Sequence, residues 1–319
     1  MKAILYTRYG PPDVLELHEI ERPTPKDDQV LVRIHASSVN ALEWRRFTMP
    51  GVVVRLIGGG LREPKNKAIG GDLAGHVEAV GAAVKSFRPG DEVFGLCRGA
   101  FAEYVCCGED RLVPKPRNVS FEAAATVPLA AMTALQALRD HGKIQAGQDV
   151  LIYGAGGGVG TFAVQIAKTF GAEVTAVCGT KNVDMLSSIG ADHVLDYAKA
   201  DFTQDGQRYD LIVGVNGYRP ILDYRRALKA KGVYVWVGGS LRQILEALLL
   251  SPLLSRIGTR KMKGVLTRPN HEDLVLLKEL LETGKLKPVI DSCYPLERVS
   301  DAVRFLMKGH ARGKVAITI

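Results

Sequence analysis

Two textures of apolar and polar positions divide this chain. Over the first 120 residues, short apolar runs alternate with glycine, proline and charged residues, as at Lys2–Tyr6, Gln29–Ile34, Gly75–Val80, Glu92–Phe94 and Ala102–Cys106. Many short strands with turn signals between them predict a small β-barrel or sandwich. Pro114 and Pro116 mark a junction. From Ser120, a plausible N-cap, the pattern becomes helical through Thr133–Leu138. Apolar strands then recur at Val150–Tyr153, Val174–Val177, His193–Leu195, Leu211–Val213 and Val233–Val237. Helical segments separate them, so this half predicts a parallel sheet wound by helices. A last strand at Gly264–Thr267 and a helix at Glu272–Thr283 complete it. Val289-Ile290, a helix at Leu296–Met307 and a strand at Val315–Ile319 read as a return to the first half.

One stretch does not fit a plain wound sheet. Leu241–Leu254 is intensely apolar, yet Arg242, Glu246 and Pro252 interrupt it, and it is too short to span a bilayer. Two readings stay open: an amphipathic helix covering an apolar pocket or subunit contact, or a helix lying on a membrane surface. Arg256, Arg260, Lys261 and Lys263 follow it and keep the second reading alive.

The strand Asp149–Tyr153 runs into Gly154-Ala155-Gly156-Gly157-Gly158-Val159-Gly160 and then into helical spacing from Thr161 to Phe170. Strand, glycine turn and helix in that order form the dinucleotide-binding fingerprint, in which glycines let the backbone approach a pyrophosphate at a helix N-terminus. At the end of the second strand, Glu173–Cys178, an NAD-preferring site carries Asp or Glu for the ribose hydroxyls. This chain has Gly179, Thr180, Lys181 and Asn182 there. The missing acid removes repulsion of a 2′-phosphate, and Thr180 and Lys181 can bind one, so NADPH is the expected cofactor.

Composition adds bounds. At 319 residues the chain suits two domains. The formal charge of +8 is spread along it, which argues against nucleic-acid binding and suits attraction of an anionic cofactor. Five cysteines, Cys97, Cys106, Cys107, Cys178 and Cys293, form no C-x-x-C, and no secretory signal precedes Lys2. A reduced, cytoplasmic protein is expected, with a structural role for Cys106-Cys107 on their strand.

These motifs together resemble the zinc-independent medium-chain dehydrogenase/reductase superfamily, in its quinone-oxidoreductase (zeta-crystallin-like) branch. The resemblance is carried by Gly71–Gly81 with Phe87–Gly95, by Ala123–Leu135, by the glycine loop, and by Gly190–Tyr197. It implies an α/β chain with a GroES-like β-rich catalytic domain at 1–120, completed by 284–319, and a Rossmann doubly wound parallel-sheet domain at 121–283. In zinc-dependent relatives a cysteine, a histidine and a second cysteine fall at the places of Asn40, Gly71 and Leu129 here, so no metal is expected.

The resemblance also assigns roles. Asn40 would sit near the nicotinamide ribose and the substrate carbonyl as a hydrogen-bond donor, and Thr133 would face the nicotinamide. Gly154, Ala155, Gly157, Gly158, Val159 and Gly160 would hold the pyrophosphate. Thr180, Lys181 and Tyr197 would surround the 2′-phosphate. Val215, Asn216, Gly238, Gly239 and Ser240 would line the nicotinamide end, and Lys314 would help close the cofactor cleft. Trp44, Phe47 and the loop Arg55–Gly60 are candidates for the pocket edge.

Without a metal, hydride addition to a quinone or to the β-carbon of an enone needs least help, because charge spreads over a conjugated system that donors can stabilise. No general acid is evident in the sequence. An enoyl thioester reductase is the competing enzyme reading, although the tyrosine acid those relatives place near Trp44 is missing. A nucleotide-binding structural or regulatory protein is the non-enzymatic one. The expected partners are a quinone or enone substrate and a second copy through Gly264–Thr267, with a peripheral membrane contact through 241–254 as the remaining option.

Overall fold

The computed structural model describes residues 1–48, 63–204, 206–216 and 219–319. The loop Arg55–Gly60 lies outside them. Contacts gather the chain into two units, one of Met1–Leu129, Pro269–Glu282 and Pro288–Ile319, the other of Ala130–Arg268 and Thr283–Lys287.

The first unit is built on a seven-stranded sheet. Its strands are β3 (Gln29–Val39), β4 (Asp72–Val80), β5 (Glu92–Leu96), β6 (Tyr104–Gly108), β7 (Leu112–Pro114), β14 (Ile290–Pro295) and β15 (Lys314–Thr318). They run in the order β14-β15-β3-β4-β5-β7, with β6 also paired to β3. A separate ribbon joins β1 (Lys2–Tyr6) to β2 (Leu15–Glu19). The long strand β3 is the organiser, because β4, β6 and β15 all pair with it antiparallel. Its inward side chains Val30, Val32 and Ile34 pack with Leu73, Val77, Val93 and Leu112 in one core. The alternation predicted for Cys106-Cys107 holds, since Cys107 is buried and Cys106 only half so. The terminal strand β15 inserts beside Val39 and so brings residues near 314 against residues near 40.

Phe47 is fully buried with Tyr6, Phe101 and Val299, and Trp44 packs on the same cluster. Phe47 is therefore core, while Trp44 is half-buried at its margin. Burying such rings contributes roughly 2–3 kcal/mol each.

The second unit is a six-stranded parallel sheet of β8 (Asp149–Tyr153), β9 (Glu173–Cys178), β10 (His193–Asp196), β11 (Tyr209–Val215), β12 (Leu228–Val237) and β13 (Lys261–Gly264). The order β10-β9-β8-β11-β12-β13 reverses direction between β8 and β11. In open wound sheets a ligand binds at that switch point, off the carboxyl ends of the strands. The glycine turn sits there, between β8 and the helix Gly158–Thr169.

The edge strand departs from the expectation at Gly264–Thr267: it spans Lys261–Gly264, and Leu266 is 78% exposed. Packing decides the register. A Cβ on Gly264 would stand 2.2 Å from the Trp236 ring, so the one residue without a side chain must lie opposite Trp236.

The apolar stretch from 241 forms the helix Leu241–Arg256, started by a capping box between Ser240 and Gln243. Leu245, Leu248, Leu249 and Leu253 remain more than half exposed on it. Among the described residues no helix is long and apolar enough to cross a membrane.

Candidate active site

Where β3 ends, the chain turns at Asn40 into the helix Ala41–Thr48. Glu43, in its first turn, reaches back so that Oε2 accepts from the Asn40 backbone N–H at 2.8 Å. This is the backbone half of a capping box. The Asn40 side chain is thereby free to do something else. Its Nδ2 donates to Asp72 Oδ2 at 2.8 Å, and its Oδ1 accepts from the Lys314 ammonium at 2.6 Å. An anion on the nitrogen and a cation on the oxygen leave one orientation for the amide, whose side chain also leans on the Glu43 carboxyl.

Asp72 is the hub. Its side chain is fully buried, and it accepts from Ser38 Oγ at 2.6 Å, from Asn40, and from the Leu129 backbone N–H at 2.9 Å, with Lys314 Nζ at 3.5 Å. Burial pushes the Lys314 ammonium below its ordinary value, and the charge of Asp72 opposes that shift. Burial also lifts the Glu43 carboxyl to about 8, with Asp72 adding to the effect.

Lys314, expected to help close the cofactor cleft, lies inside this buried cluster. It is 3% exposed, and its ammonium bonds inward to Asn40 and the Val39 carbonyl. Sequence reading missed Glu43 altogether and left Asp72 without a role. The Asn-x-x-Glu spacing before a helix was the available signal for Glu43.

The second unit assembles the nucleotide features. Gly154, at φ +76°, has Val215 O 1.9 Å from where a Cβ would be, and a Cβ on Gly160 would lie 2.4 Å from Gly154 O. No other residue lets the turn, the helix start and the end of β11 approach so closely. Ala155 is buried, and its N–H donates to Val177 O. Gly157 is the N-cap, and Gly158, Val159 and Gly160 open the helix, where the first N–H groups lack intrahelical acceptors.

Around the end of β9 three side chains close in. The Tyr197 hydroxyl lies 2.9 Å from where a Gly179 Cβ would be, and Asn182 Nδ2 lies 2.4 Å from that of Gly156. Asn182 Oδ1 is buried without a partner. Thr180 is already engaged, donating to Asp196 Oδ2 at 2.7 Å, while Lys181 stays exposed. An acid therefore does stand near this corner, contributed by β10, but Thr180, the Ala198 N–H and Lys199 surround it.

Val215 is buried at the end of β11, and Asn216 follows at φ +48°. Gly238 and Gly239 also have positive φ, and Ser240 caps the next helix. Thr133 shares a hydrogen bond with Thr267 at 2.8 Å and is 8% exposed. The close-packed turn, the free helix N–H groups and the orphaned Asn182 oxygen fit a dinucleotide.

A catalytic zinc does not fit. Asn40 is held on both sides, Gly71 and Leu129 offer no donor atom, and the Lys314 ammonium already occupies the space beside Asp72. Among the described residues no group of three His, Cys, Asp or Glu side chains could hold a metal ion.

Comparison with known proteins agrees with this geometry. Residues 26–117 match the alcohol dehydrogenase GroES-like domain, and residues 189–317 match the zinc-binding dehydrogenase family. The chain is 34% identical to a chloroplastic quinone-oxidoreductase homolog of Spinacia oleracea, over 99% of its own length and 98% of the relative's. It is 32% identical to a chloroplastic NADPH-dependent alkenal/one oxidoreductase of Arabidopsis thaliana, over 99% of its length and 79% of the relative's. The fold superposes on the quinone oxidoreductase of Coxiella burnetii with a TM-score of 0.88, at 29% identity, covering 100% of this chain and 99% of that one. With GroES-like and nucleotide-binding units both in place, the chain belongs to the medium-chain dehydrogenase/reductase superfamily, in its quinone-oxidoreductase branch.

Proposed function

We propose that this protein is an NADPH-dependent reductase that transfers a hydride to quinones or α,β-unsaturated carbonyls. The observation that carries the reading is the buried Asn40 amide, clamped in one orientation between Lys314 and Asp72. The Lys314 charge on the amide oxygen strengthens its N–H groups as donors, which suits an acceptor oxygen gaining negative charge. NADPH supplies the hydride when bound. Gly154 to Gly160 hold its pyrophosphate, Lys181 and Tyr197 receive the 2′-phosphate, and Thr133, Val215, Asn216 and Gly238 to Ser240 border the nicotinamide. The protein's share is to orient the acceptor and stabilise its developing oxyanion.

Oxidation of NADPH, with NADH in parallel, against phenanthrenequinone, benzoquinone and a conjugated alkenal tests this. Turnover preferring NADPH is expected. Tight NADPH binding with no turnover on any acceptor would favour a binding protein. Lys181→Ala should raise KM for NADPH about 10-fold and leave KM for NADH nearly unchanged, as loss of one charge-assisted bond to a phosphate predicts. Equal effects on both cofactors would remove Lys181 from the phosphate site.

The exposed leucines of helix Leu241–Arg256 and the open edge of β13 suit a second copy of the chain, so a homodimer is proposed. Light scattering should report a dimer for the wild type and a monomer for Leu249→Glu. Cosedimentation of the wild type with liposomes, lost in that variant, would favour the membrane contact instead. The cysteines all stand unpaired, which suits a reducing compartment, and the cytoplasm is proposed.

A further inference from the structure

The buried cluster contains one group that the oxyanion role of Asn40 leaves idle. Glu43 is 5% exposed, and only its Oε2 is used, by the Asn40 backbone N–H. Oε1 is buried and makes no close hydrogen bond among the described residues. It points toward Gly71: a Cβ there would stand 3.4 Å from Oε1, with Leu96 the next neighbour at 3.9 Å. Any side chain at 71 would cover this oxygen. Glycine places no side chain over it, so only the partly exposed backbone at 71 lies on that side.

Charge balance says which carboxyl holds a proton. Two acids and one ammonium are buried together. Asp72 collects Ser38, Asn40, the Leu129 N–H and Lys314, whereas Glu43 is held by Asn40 alone and only its Oε2 makes a close hydrogen bond. Burial of an unpaired charge is the costliest option, so the carboxyl with the fewest donors keeps its proton and the cluster stays neutral. The other elements packed on the helix Ala41–Thr48 do not alter this. Asp301 and Arg304 of the helix Val299–Met307 and Asp13 of the turn Pro12–Val14 pair with one another, and Arg45 on the same helix lies over the Trp44 ring.

We propose that Glu43 is the acid that completes the reduction, donating its Oε1 proton to the anion left after hydride addition. This rests on the reductase reading above. With an enone, the hydride from NADPH bonds to the β-carbon and the C=C electron pair shifts to form an enolate. The Oε1–H bond then breaks, a C–H bond forms at the α-carbon, and water reprotonates the Glu43 carboxylate. The acceptor gains a hydride and a proton, and NADP⁺ leaves.

The first measurement needs no cofactor. Infrared difference spectra of the protein alone across a pH titration should show a protonated carboxyl band that disappears with a midpoint near the value of about 8 and is missing in Glu43→Gln. A wild type without that band overturns the proposal, even where the variant folds poorly. Stability provides a second check. The folded carboxyl keeps its proton up to about 8, against 4.5 for an ordinary one, so folding takes up a proton between those values. Stability therefore falls as pH rises through that window, and it should fall less in Glu43→Gln.

In turnover, Glu43→Gln should lower kcat about 100-fold, lose the decline of kcat above the wild type's titration point, and bind NADPH as before, with Glu43→Asp recovering part of the rate. A Gln variant with the wild-type kcat and the same alkaline decline overturns the donor role alone. A wild type that binds NADPH but reduces no acceptor overturns the reductase reading and the donor role with it.

Discussion

Lys314→Met should destabilise the first unit by about 3–5 kcal/mol, because it removes the cation from a cluster whose anion stays buried. The replacement shortens the side chain only by its terminal atom and keeps most of its apolar volume, so the loss is chiefly electrostatic and not a cavity effect. Asp72 has no exposure to solvent, and three hydrogen-bond donors remain around it but no positive charge. Asn40 loses the partner on its oxygen at the same time, so the amide is free to rotate and its N–H groups are no longer aimed. Urea unfolding followed by circular dichroism would report the first effect as a lower midpoint with unchanged slope. Steady-state kinetics would report the second as a fall in kcat with NADPH affinity retained. Adding Asp72→Asn removes the stranded charge, so the double variant should be more stable than Lys314→Met alone. Additive losses would mean that Lys314 and Asp72 do not interact energetically.

That cluster also shows where the sequence stops being readable. The wound sheet was legible because its strands are short apolar runs bounded by turn residues, and the glycine loop was legible because its parts are contiguous. Asn40 came from the resemblance. Its pairing with Lys314 did not, since Lys314 lies 274 residues away and reaches Asn40 only because β15 pairs with the end of β3. Such a pairing follows from sheet topology and leaves no local spacing to find. Glu43 was hidden differently: on a short helix an acid in the first turn reads as a solvated cap, and only burial turns it into a neutral carboxylic acid. The edge strand was misplaced by three residues because Val265 and Leu266 look like strand formers, whereas the need of Trp236 for a glycine neighbour sets the register. Thr180 was assigned to a phosphate without sight of Asp196, which arrives from the neighbouring strand.

Gly160→Val should abolish useful NADPH binding, raising Kd roughly 1000-fold, or about 4 kcal/mol. The distances argue for a steric cause. A Cβ at 160 would sit 2.4 Å from Gly154 O and 2.6 Å from the Ala155 Cα, both backbone atoms that cannot rotate away. The helix Gly158–Thr169 would have to withdraw from the turn, and its free N–H groups would leave the place proposed for the pyrophosphate. Gly160→Ala carries the same first atom without the branches, so a smaller loss in the same direction is expected. Fluorescence titration of NADPH measures both. The infrared band of Glu43 offers an internal control, because that residue belongs to the first unit and Gly160 to the second. An unchanged band with lost binding would localise the damage to the glycine turn. Wild-type affinity in Gly160→Val would mean that the turn is not where the dinucleotide binds, and the reductase reading would lose its cofactor site.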